Sequence, residues 1–245
     1  MIDCLLIIQA RMGSSRLPEK VLRRINNIPL IQYQIERLKT TKTADKIVLA
    51  TTNTEKDDAL EELCAYLEIS IFRGDEQNVL KRFYDCAKLY SAKTIVRVNG
   101  DCPLITGEIV DLVVDKFNTL LPDYDYVSNI LKPSYPIGFH VEVFKYEALE
   151  AAYIESTDPI EREHVTPYIY RNPERFKNYN VSLDEDLSCY RLTVDYLCDF
   201  QVIKAIIEEL YHANPNFSMH DAINFLQKNP KILGLNVNIK KKQIL

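Results

Sequence analysis

Residues Cys4 to Ile8 form an uninterrupted apolar run, the pattern of a strand covered on both faces. Behind Pro29, a residue suited to a helix start, Ile31, Ile35 and Leu38 recur at helical spacing. The alternation continues with a strand at Lys46–Thr51 and a helical face of Leu60, Leu63, Cys64 and Leu67. A short strand at Ile69–Phe72 precedes a helical face of Val79, Phe83, Cys86 and Tyr90. A strand at Thr94–Val98 then leads into a helix marked by Ile109, Val110, Val113 and Phe117. Regular strand–helix alternation predicts an α/β fold with a mostly parallel central sheet, helices on both faces and right-handed crossovers. Ligands of such sheets bind beyond the carboxyl ends of the strands, so the segments just after strands hold the functional information.

The second half is less regular. Gly138–Phe144 alternates, which predicts a strand with Phe139, Val141 and Val143 on one face and His140 and Glu142 on the other. Tyr146–Ser156 and His164–Arg171 read as helices and Tyr190–Val194 as a short strand. Phe200, Ile203, Ile207 and Leu210 mark another helix, and Ser218 can cap a last one carrying Ala222, Ile223 and Leu226. There is no repeat and no low-complexity linker. The expectation is one domain over 1–245 with a small inserted subregion near 130–180. The Lys240-Lys-Lys242 tail reads as a solvated terminus.

Composition narrows the class. A chain of 245 residues with 47% hydrophobic and 27% charged residues has enough core to fold without disulfides or metals. The net charge of −5 argues against nucleic acid or an anionic membrane as a partner. No apolar run approaches membrane-spanning length, and the amino terminus has neither a basic leader nor a small-residue cleavage site. The six cysteines are scattered with no C-x-x-C pair, and no two of the four histidines lie three to five residues apart, so a structural zinc site is not expected. Isolated cysteines in apolar segments read as reduced core residues, which points to the cytoplasm. The fifteen tyrosines are dispersed, as core and interface residues are, and form no stacking platform for nucleic acid.

With six glycines the chain contains no G-x-G-x-x-G, no G-x-x-x-x-G-K-[ST] and no G-x-S-x-G. Any phosphate-binding loop must therefore rely on charged side chains. The segment after the first strand, Gln9-Ala-Arg-Met-Gly-Ser-Ser-Arg-Leu-Pro-Glu-Lys20, offers Arg11, Arg16 and Lys20 beside Gly13 and Ser14. Two readings fit: a triphosphate cradle of charge-assisted donors, or a solvated basic loop. The fourth strand ends in Asn99-Gly-Asp101 and a later one in Asp195. Each carboxylate either holds Mg²⁺ on substrate phosphates or closes a turn or caps a helix. Neither has a Lys or Arg two positions away to neutralise it.

Several stretches together resemble the cytidylyltransferase family that includes 3-deoxy-manno-octulosonate cytidylyltransferase and N-acylneuraminate cytidylyltransferase, most strongly its spore coat polysaccharide biosynthesis protein F branch. They are the residues at 7–18, Lys20-Val-Leu22, Ala50-Thr-Thr52, Phe72-Arg-Gly74, the residues at 96–105, Glu161-Arg-Glu-His-Val-Thr-Pro-Tyr168 and Leu192-Thr-Val-Asp195. The resemblance covers nearly the whole chain. It implies a three-layer GT-A/Rossmann-like nucleotidyltransferase fold, CTP, Mg²⁺, a small-molecule acceptor and a homodimer. It implies that CMP passes from CTP to an acidic sugar or similar acceptor with release of pyrophosphate. Arg11, Lys20, Asp101 and Asp195 would be catalytic, with Asp101 and Asp195 as metal carboxylates. The nucleotide would lie against Gln9, Ala10, Arg11, Met12, Gly13, Ser14, Arg16, Lys20, Thr51, Arg73, Asn99, Gly100 and Asp101.

Two stretches depart from the branch. Its usual Asp-Gly-Leu-Asp is Ile137-Gly-Phe-His140 here, and its usual Val-Asp-Thr-Pro-Glu-Asp is Val194-Asp-Tyr-Leu-Cys-Asp199. His140 and Glu142, with Arg162 and His164, are candidates to meet the acceptor. Against this, His140 also fits a hydrogen-bonded strand residue, and Glu161–His164 a capped, solvated first turn. Two rival functions stay open at this stage. One is a GT-A glycosyltransferase, whose usual Asp-x-Asp sign is matched by Asp123-Tyr-Asp125, before an apolar strand rather than after one. The other is a non-catalytic nucleotide-binding protein.

Overall fold

The computed structural model describes residues 2–239, so the Lys240-Lys-Lys242 tail lies outside the described residues. In chain order the elements are β1 (Ile2–Gln9), β2 (Arg24–Ile25), β3 (Ile28–Pro29), α1 (Leu30–Leu38), β4 (Lys46–Thr52), α2 (Asp58–Tyr66) and β5 (Ser70–Gly74). They continue with α3 (Val79–Leu89), β6 (Ala92–Asn99), α4 (Gly107–Leu120), β7 (Tyr126–Ser128), β8 (Glu142–Lys145) and α5 (Tyr146–Glu155). The remainder are α6 (Pro159–His164), α7 (Pro167–Tyr170), β9 (Asn178–Asn180), α8 (Leu197–Leu210), α9 (Met219–Lys228) and α10 (Pro230–Leu233). None of these helices is long and apolar enough to cross a membrane.

Seven strands form one sheet in the order β5-β4-β1-β6-β8-β7-β9. Strand β8 is antiparallel to both β6 and β7, and every other pairing is parallel, so the sheet is mostly parallel as the alternation predicts. The apolar run of β1 is buried on both faces: Cys4, Leu6 and Ile8 pack into one core, and Leu5 and Ile7 into the other. Helices α1, α2, α4, α8 and α9 cover the first face, and α3, α5 and α7 the second, giving three layers. The segment 130–180 adds β8 and β9 to this same sheet.

Local chemistry explains where the structure departs from the periodicity. The β2–β3 hairpin, which hydrophobic spacing does not reveal, turns at Asn26 and Asn27, both left-handed (φ 49° and 66°), as a two-residue turn joining twisted strands requires. The expected strand over Gly138–Phe144 is ordered as a ladder only from Glu142. Gly138 (φ 109°) bends the chain against Leu192, whose carbonyl oxygen would lie 2.4 Å from any added Cβ. Tyr190–Val194 makes a single parallel bridge, Arg191 to Ile137, instead of a strand. The expected helix His164–Arg171 is split between α6 and α7. At the break Val165 has φ 73° and ψ −57°, and the Thr166 N–H donates to the His164 carbonyl at 2.9 Å, a classic-handed γ-turn. This strained turn aims the Thr166 hydroxyl inward, where it donates to Glu142. Ser218 caps α9 as expected, but α10 follows it.

Candidate active site

The segment after β1 is tethered at both ends. At its start the Ala10 N–H donates to the Ala50 carbonyl at 3.2 Å, and the Met12 N–H to Asp57 Oδ1 at 2.8 Å. Asp57 is buried, and its Oδ2 also accepts from the Thr51 hydroxyl (2.7 Å), the Thr52 N–H (3.0 Å) and the Thr52 hydroxyl. Burial by itself would raise this carboxyl. The hydrogen bonds, led by that of the Thr52 hydroxyl, outweigh it and hold the group below its ordinary range. Further along, the Leu17 N–H donates to Ser14 Oγ at 3.3 Å and Leu17 itself is buried. A left-handed Glu19 then leads into a 3₁₀ turn at Lys20–Leu22, pinned by buried Val21. Lys20 thus projects from an anchored turn, whereas Arg11 and Arg16 stand on the outer part of the loop.

Opposite this loop, the ends of β1 and β6 approach so closely that only glycine fits at position 100. An added Cβ would meet Ala10 Cβ at 2.7 Å and the Gln9 carbonyl oxygen at 2.8 Å. The next residue is Asp101, and its carbonyl accepts from the Val194 N–H at 2.9 Å and the Thr193 hydroxyl at 3.0 Å. That docking carries Asp195 to the same edge. Lys20 Nζ lies 2.7 Å from Asp101 Oδ2 and 2.9 Å from Asp195 Oδ1, and Arg16 Nη2 lies 2.5 Å from Asp195 Oδ1. Two carboxylates far apart in sequence therefore converge on one ammonium. Asp101 is not the cap of α4, because the Thr106 side chain accepts from the Ile109 N–H there.

Electrostatics follow from this packing. Burial would depress Lys20, but Asp101 and Asp195 more than compensate and raise it above its ordinary value. Burial would raise Asp195, but Lys20, then Arg16 and Arg191, hold it below the usual carboxylate range. The absence of a cation two residues from Asp195 was misleading, since Arg191, four residues before it, reaches Oδ2 at 2.8 Å. Among the described residues, no cluster of three or more His, Cys, Asp or Glu is placed to hold a metal ion. Two hard carboxylate donors that meet at the Lys20 ammonium nevertheless fit Mg²⁺, which takes one or two carboxylates and completes its octahedron with phosphate oxygens and water.

The remaining candidates separate clearly. Arg11 is exposed and lies 3.6 Å from Glu76. Gln9 Oε1 accepts from Arg97 at 3.3 Å, and the Asn99 carbonyl accepts from Gln34 at 2.8 Å. Thr51 is fully buried with its hydroxyl on Asp57, so it supports the loop from beneath and does not face a ligand. Every side-chain nitrogen of Arg73 is engaged within the chain: Nε with the Thr52 carbonyl, Nη2 with the Thr54 carbonyl, and Nη1 with Asp58 and Glu61. Arg73 therefore shapes the β4–β5 edge rather than presenting an open donor.

The acceptor candidates are all engaged within the chain. Glu142 is 4% exposed, is paired with Arg97, and accepts from Tyr126 and Thr166, because the second face of β8 is covered too. Arg162 donates through Nε and Nη2 to the Ser156 carbonyl. Glu161–His164 falls inside α6, capped by Asp158, in line with the capped-turn reading. His140 and His164 are half-buried and engaged with neighbours. Asp125 accepts from Lys145 and the Lys177 N–H at the amino end of β7, away from this edge. A cavity of about 720 Å³ also opens at the amino edge of the sheet, among Asp3, Asp45, Lys93 and Lys145, and contains none of the site residues. Cys4, Cys64, Cys86 and Cys102 are buried, whereas Cys189 is exposed and Cys198 half-buried.

Hydrophobic spacing did not reveal Asp57, Arg191 or Asp199. Two signals were available: Asp57 lies five residues past the end of β4, at the same sheet edge as the other loops, and Asp199 stands where the branch's Val-Asp-Thr-Pro-Glu-Asp ends.

Known proteins resemble this chain over nearly its whole length. The profile of the family described as cytidylyltransferase matches residues 5–230. An uncharacterized protein of Methanocaldococcus jannaschii is 42% identical over 241 residues, 96% of this chain and 95% of that one. The spore coat polysaccharide biosynthesis protein SpsF of Bacillus subtilis is 33% identical over 235 residues, 93% and 95% of the two chains. The solved structure of a cytidylyltransferase from Leptospira borgpetersenii superposes with a TM-score of 0.90 at 34% identity, covering 99% of this chain and all of the other.

Proposed function

The chain belongs to the cytidylyltransferase family, and from that premise we propose that it transfers CMP from CTP to an acidic sugar or similar small acceptor in surface polysaccharide biosynthesis, with Mg²⁺ as cofactor. The observation that carries this reading is the convergence of Asp101 and Asp195 on Lys20 at the carboxyl edge of the sheet. An acceptor hydroxyl oxygen attacks the α-phosphorus in line and gives up its proton to solvent. The bond from that phosphorus to the bridging oxygen breaks, and its electron pair leaves with pyrophosphate. Lys20, Arg16 and Arg11 receive the triphosphate and neutralise the charge that builds on the departing pyrophosphate. Asp101 and Asp195 would hold Mg²⁺, which when bound polarises the phosphate oxygens. Lys20 forms ion pairs with both carboxylates, so it exchanges carboxylate partners for phosphate as nucleotide arrives.

The family assignment favours cytosine as the base. A homodimer is part of the proposal, supported by Ile154 and Ile160, which stay exposed on α5 and α6. The six unpaired cysteines support a cytoplasmic location. The decisive assay incubates the protein and Mg²⁺ with each of the four ribonucleoside triphosphates and a panel of acidic sugars, and follows pyrophosphate. CTP-dependent pyrophosphate with a CMP-linked product is expected. Release of a nucleoside diphosphate from a nucleotide-sugar, with no pyrophosphate from CTP, would instead place the chemistry with glycosyl transfer. Light scattering showing a monomer at working concentration would remove the dimer.

A further inference from the structure

The two oxygens of Asp195 live in different environments. Oδ1 faces Lys20 at 2.9 Å and Arg16 at 2.5 Å, and Arg16 is exposed, on the loop to which the proposed function assigns the triphosphate. Oδ2 faces Arg191 Nη2 at 2.8 Å, and Arg191 has no such freedom. Its Nε lies 2.9 Å from Asp199 Oδ1, and its Nη2 lies 3.2 Å from Asp199 Oδ2. Asp199 is fully buried, and its Oδ2 also accepts from the N–H groups of Asp195 and Tyr196, each at 3.0 Å. The remaining position on Oδ1 is taken by Asn236 Nδ2 at 2.9 Å. The same nitrogen reaches the Arg191 carbonyl at 3.0 Å. Asn236 is itself buried, and it lies beyond residue 230, where the family match ends.

We propose that Arg191 is a positioning residue for Asp195, held rigid by Asp199 and by Asn236 from the carboxyl-terminal segment, so that Asp195 is presented to the reaction through Oδ1 alone. This rests on the reading of Asp195 as a metal-holding carboxylate. One guanidinium fork bridges Asp195 and Asp199, a geometry that an ammonium point charge cannot reproduce. The backbone at Asp195 is fixed by the same buried carboxylate that orients the arginine, so the main chain and side chain of Asp195 share one anchor. The Tyr196-Leu-Cys198 stretch, where this chain departs from its branch, contributes to that anchor only the Tyr196 N–H, a backbone group that does not depend on the side chain at 196. The clamp therefore tolerates change at 196–198 but not at 191, 199 or 236.

The test uses the full chain with Arg191→Lys, Asn236→Ala and Asp195→Asn, and reads both steady-state kinetics and the Mn²⁺ taken up in the presence of CTP, counted by electron paramagnetic resonance of the free ion. Groups that orient a metal ligand typically change affinity or rate by about 10–100-fold. Arg191→Lys is expected to lose kcat in that range with KM for CTP within about twofold, and to weaken Mn²⁺ uptake in parallel. Asn236→Ala, which removes no charge and keeps the fork, guards against misfolding. It is expected to show the same split to a smaller degree, with a melting temperature lowered by several degrees but the cooperative transition kept. If Asp195→Asn abolishes turnover and Mn²⁺ uptake while Arg191→Lys and Asn236→Ala match wild type in both, the clamp is refuted and the reading of Asp195 stands. If Asp195→Asn keeps turnover and Mn²⁺ uptake, that reading falls and takes this role of Arg191 with it.

Discussion

Replacing Asp57 by asparagine perturbs the loop after β1 without touching any residue in it. The carboxylate accepts from the Met12 N–H on one oxygen and from Thr51 and Thr52 on the other. An asparagine of the same shape has one acceptor oxygen and an amino group that only donates. Its best orientation keeps the oxygen toward the threonines, where more donors converge, and turns the amino group on the Met12 N–H. A hydrogen bond to a charged group contributes about 1.5–3 kcal/mol and a buried donor left unpaired costs about 1–3 kcal/mol; the two overlap for the one bond lost, and the substitution should destabilise by about 2–4 kcal/mol. In a chain of this size each kcal/mol lowers Tm by about 2–4 °C, so the expected fall is about 4–16 °C at neutral pH. The pH dependence has a definite sign. The folded pKa of Asp57 lies below its unfolded value of about 3.9, so its charge contributes stability that is complete above that value and disappears as pH falls through the folded pKa. Asparagine has no such dependence, so the Tm gap between the two proteins should be widest near neutrality and close in acid. Thermal melts across a pH series measure the gap, and calorimetric titration with CTP measures the loosened loop as weaker binding. A variant that melts within about 1 °C of wild type at neutral pH and binds CTP equally well would refute the anchoring role.

Lys20→Ala should weaken CTP binding roughly ten- to a hundred-fold by calorimetry, from the loss of a charge-assisted contact of about 1.5–3 kcal/mol. Arg11→Ala, which removes an exposed side chain, should weaken it less; the reverse order would reassign the two cations. Glu142→Ala leaves the 9%-exposed Arg97 without its carboxylate, and should cost about 3–5 kcal/mol in urea unfolding. A shift near zero there would mean that Arg97 is compensated by other groups. Gly138→Ala forces a side chain into a left-handed backbone against the Leu192 carbonyl, three residues from Asp195. Its Tm and turnover should fall together, and unchanged values in both would show that the 137–139 bend is not needed to seat the site.

What the sequence determined by itself was the local order of the chain. Cys4–Ile8, Lys46–Thr51 and Thr94–Val98 were legible as strands because burial on both faces demands continuous apolar residues, and helical faces such as Val79, Phe83 and Cys86 follow from the period of the helix. Matches to long motifs marked the loop at 9–20 and the carboxylates Asp101 and Asp195. The pairing itself was not legible. Lys20 meets Asp101 across 81 residues and Asp195 across 175, and no local periodicity encodes which loops share a sheet edge. Strand order decides that, by placing β1 beside β6 and docking 192–194 on the Asp101 carbonyl. Burial was misjudged for the same reason. Glu142 alternates as a solvent-facing strand residue should, yet α3 and α5 cover that face of the sheet, and a carboxylate enclosed there must find Arg97, Tyr126 and Thr166. Asp57 and Arg191 carry no pattern of their own, and the motif that ends in Asp199 does not tell its role, because a polar group is recognised as an anchor only when the chain has brought donors from elsewhere to it.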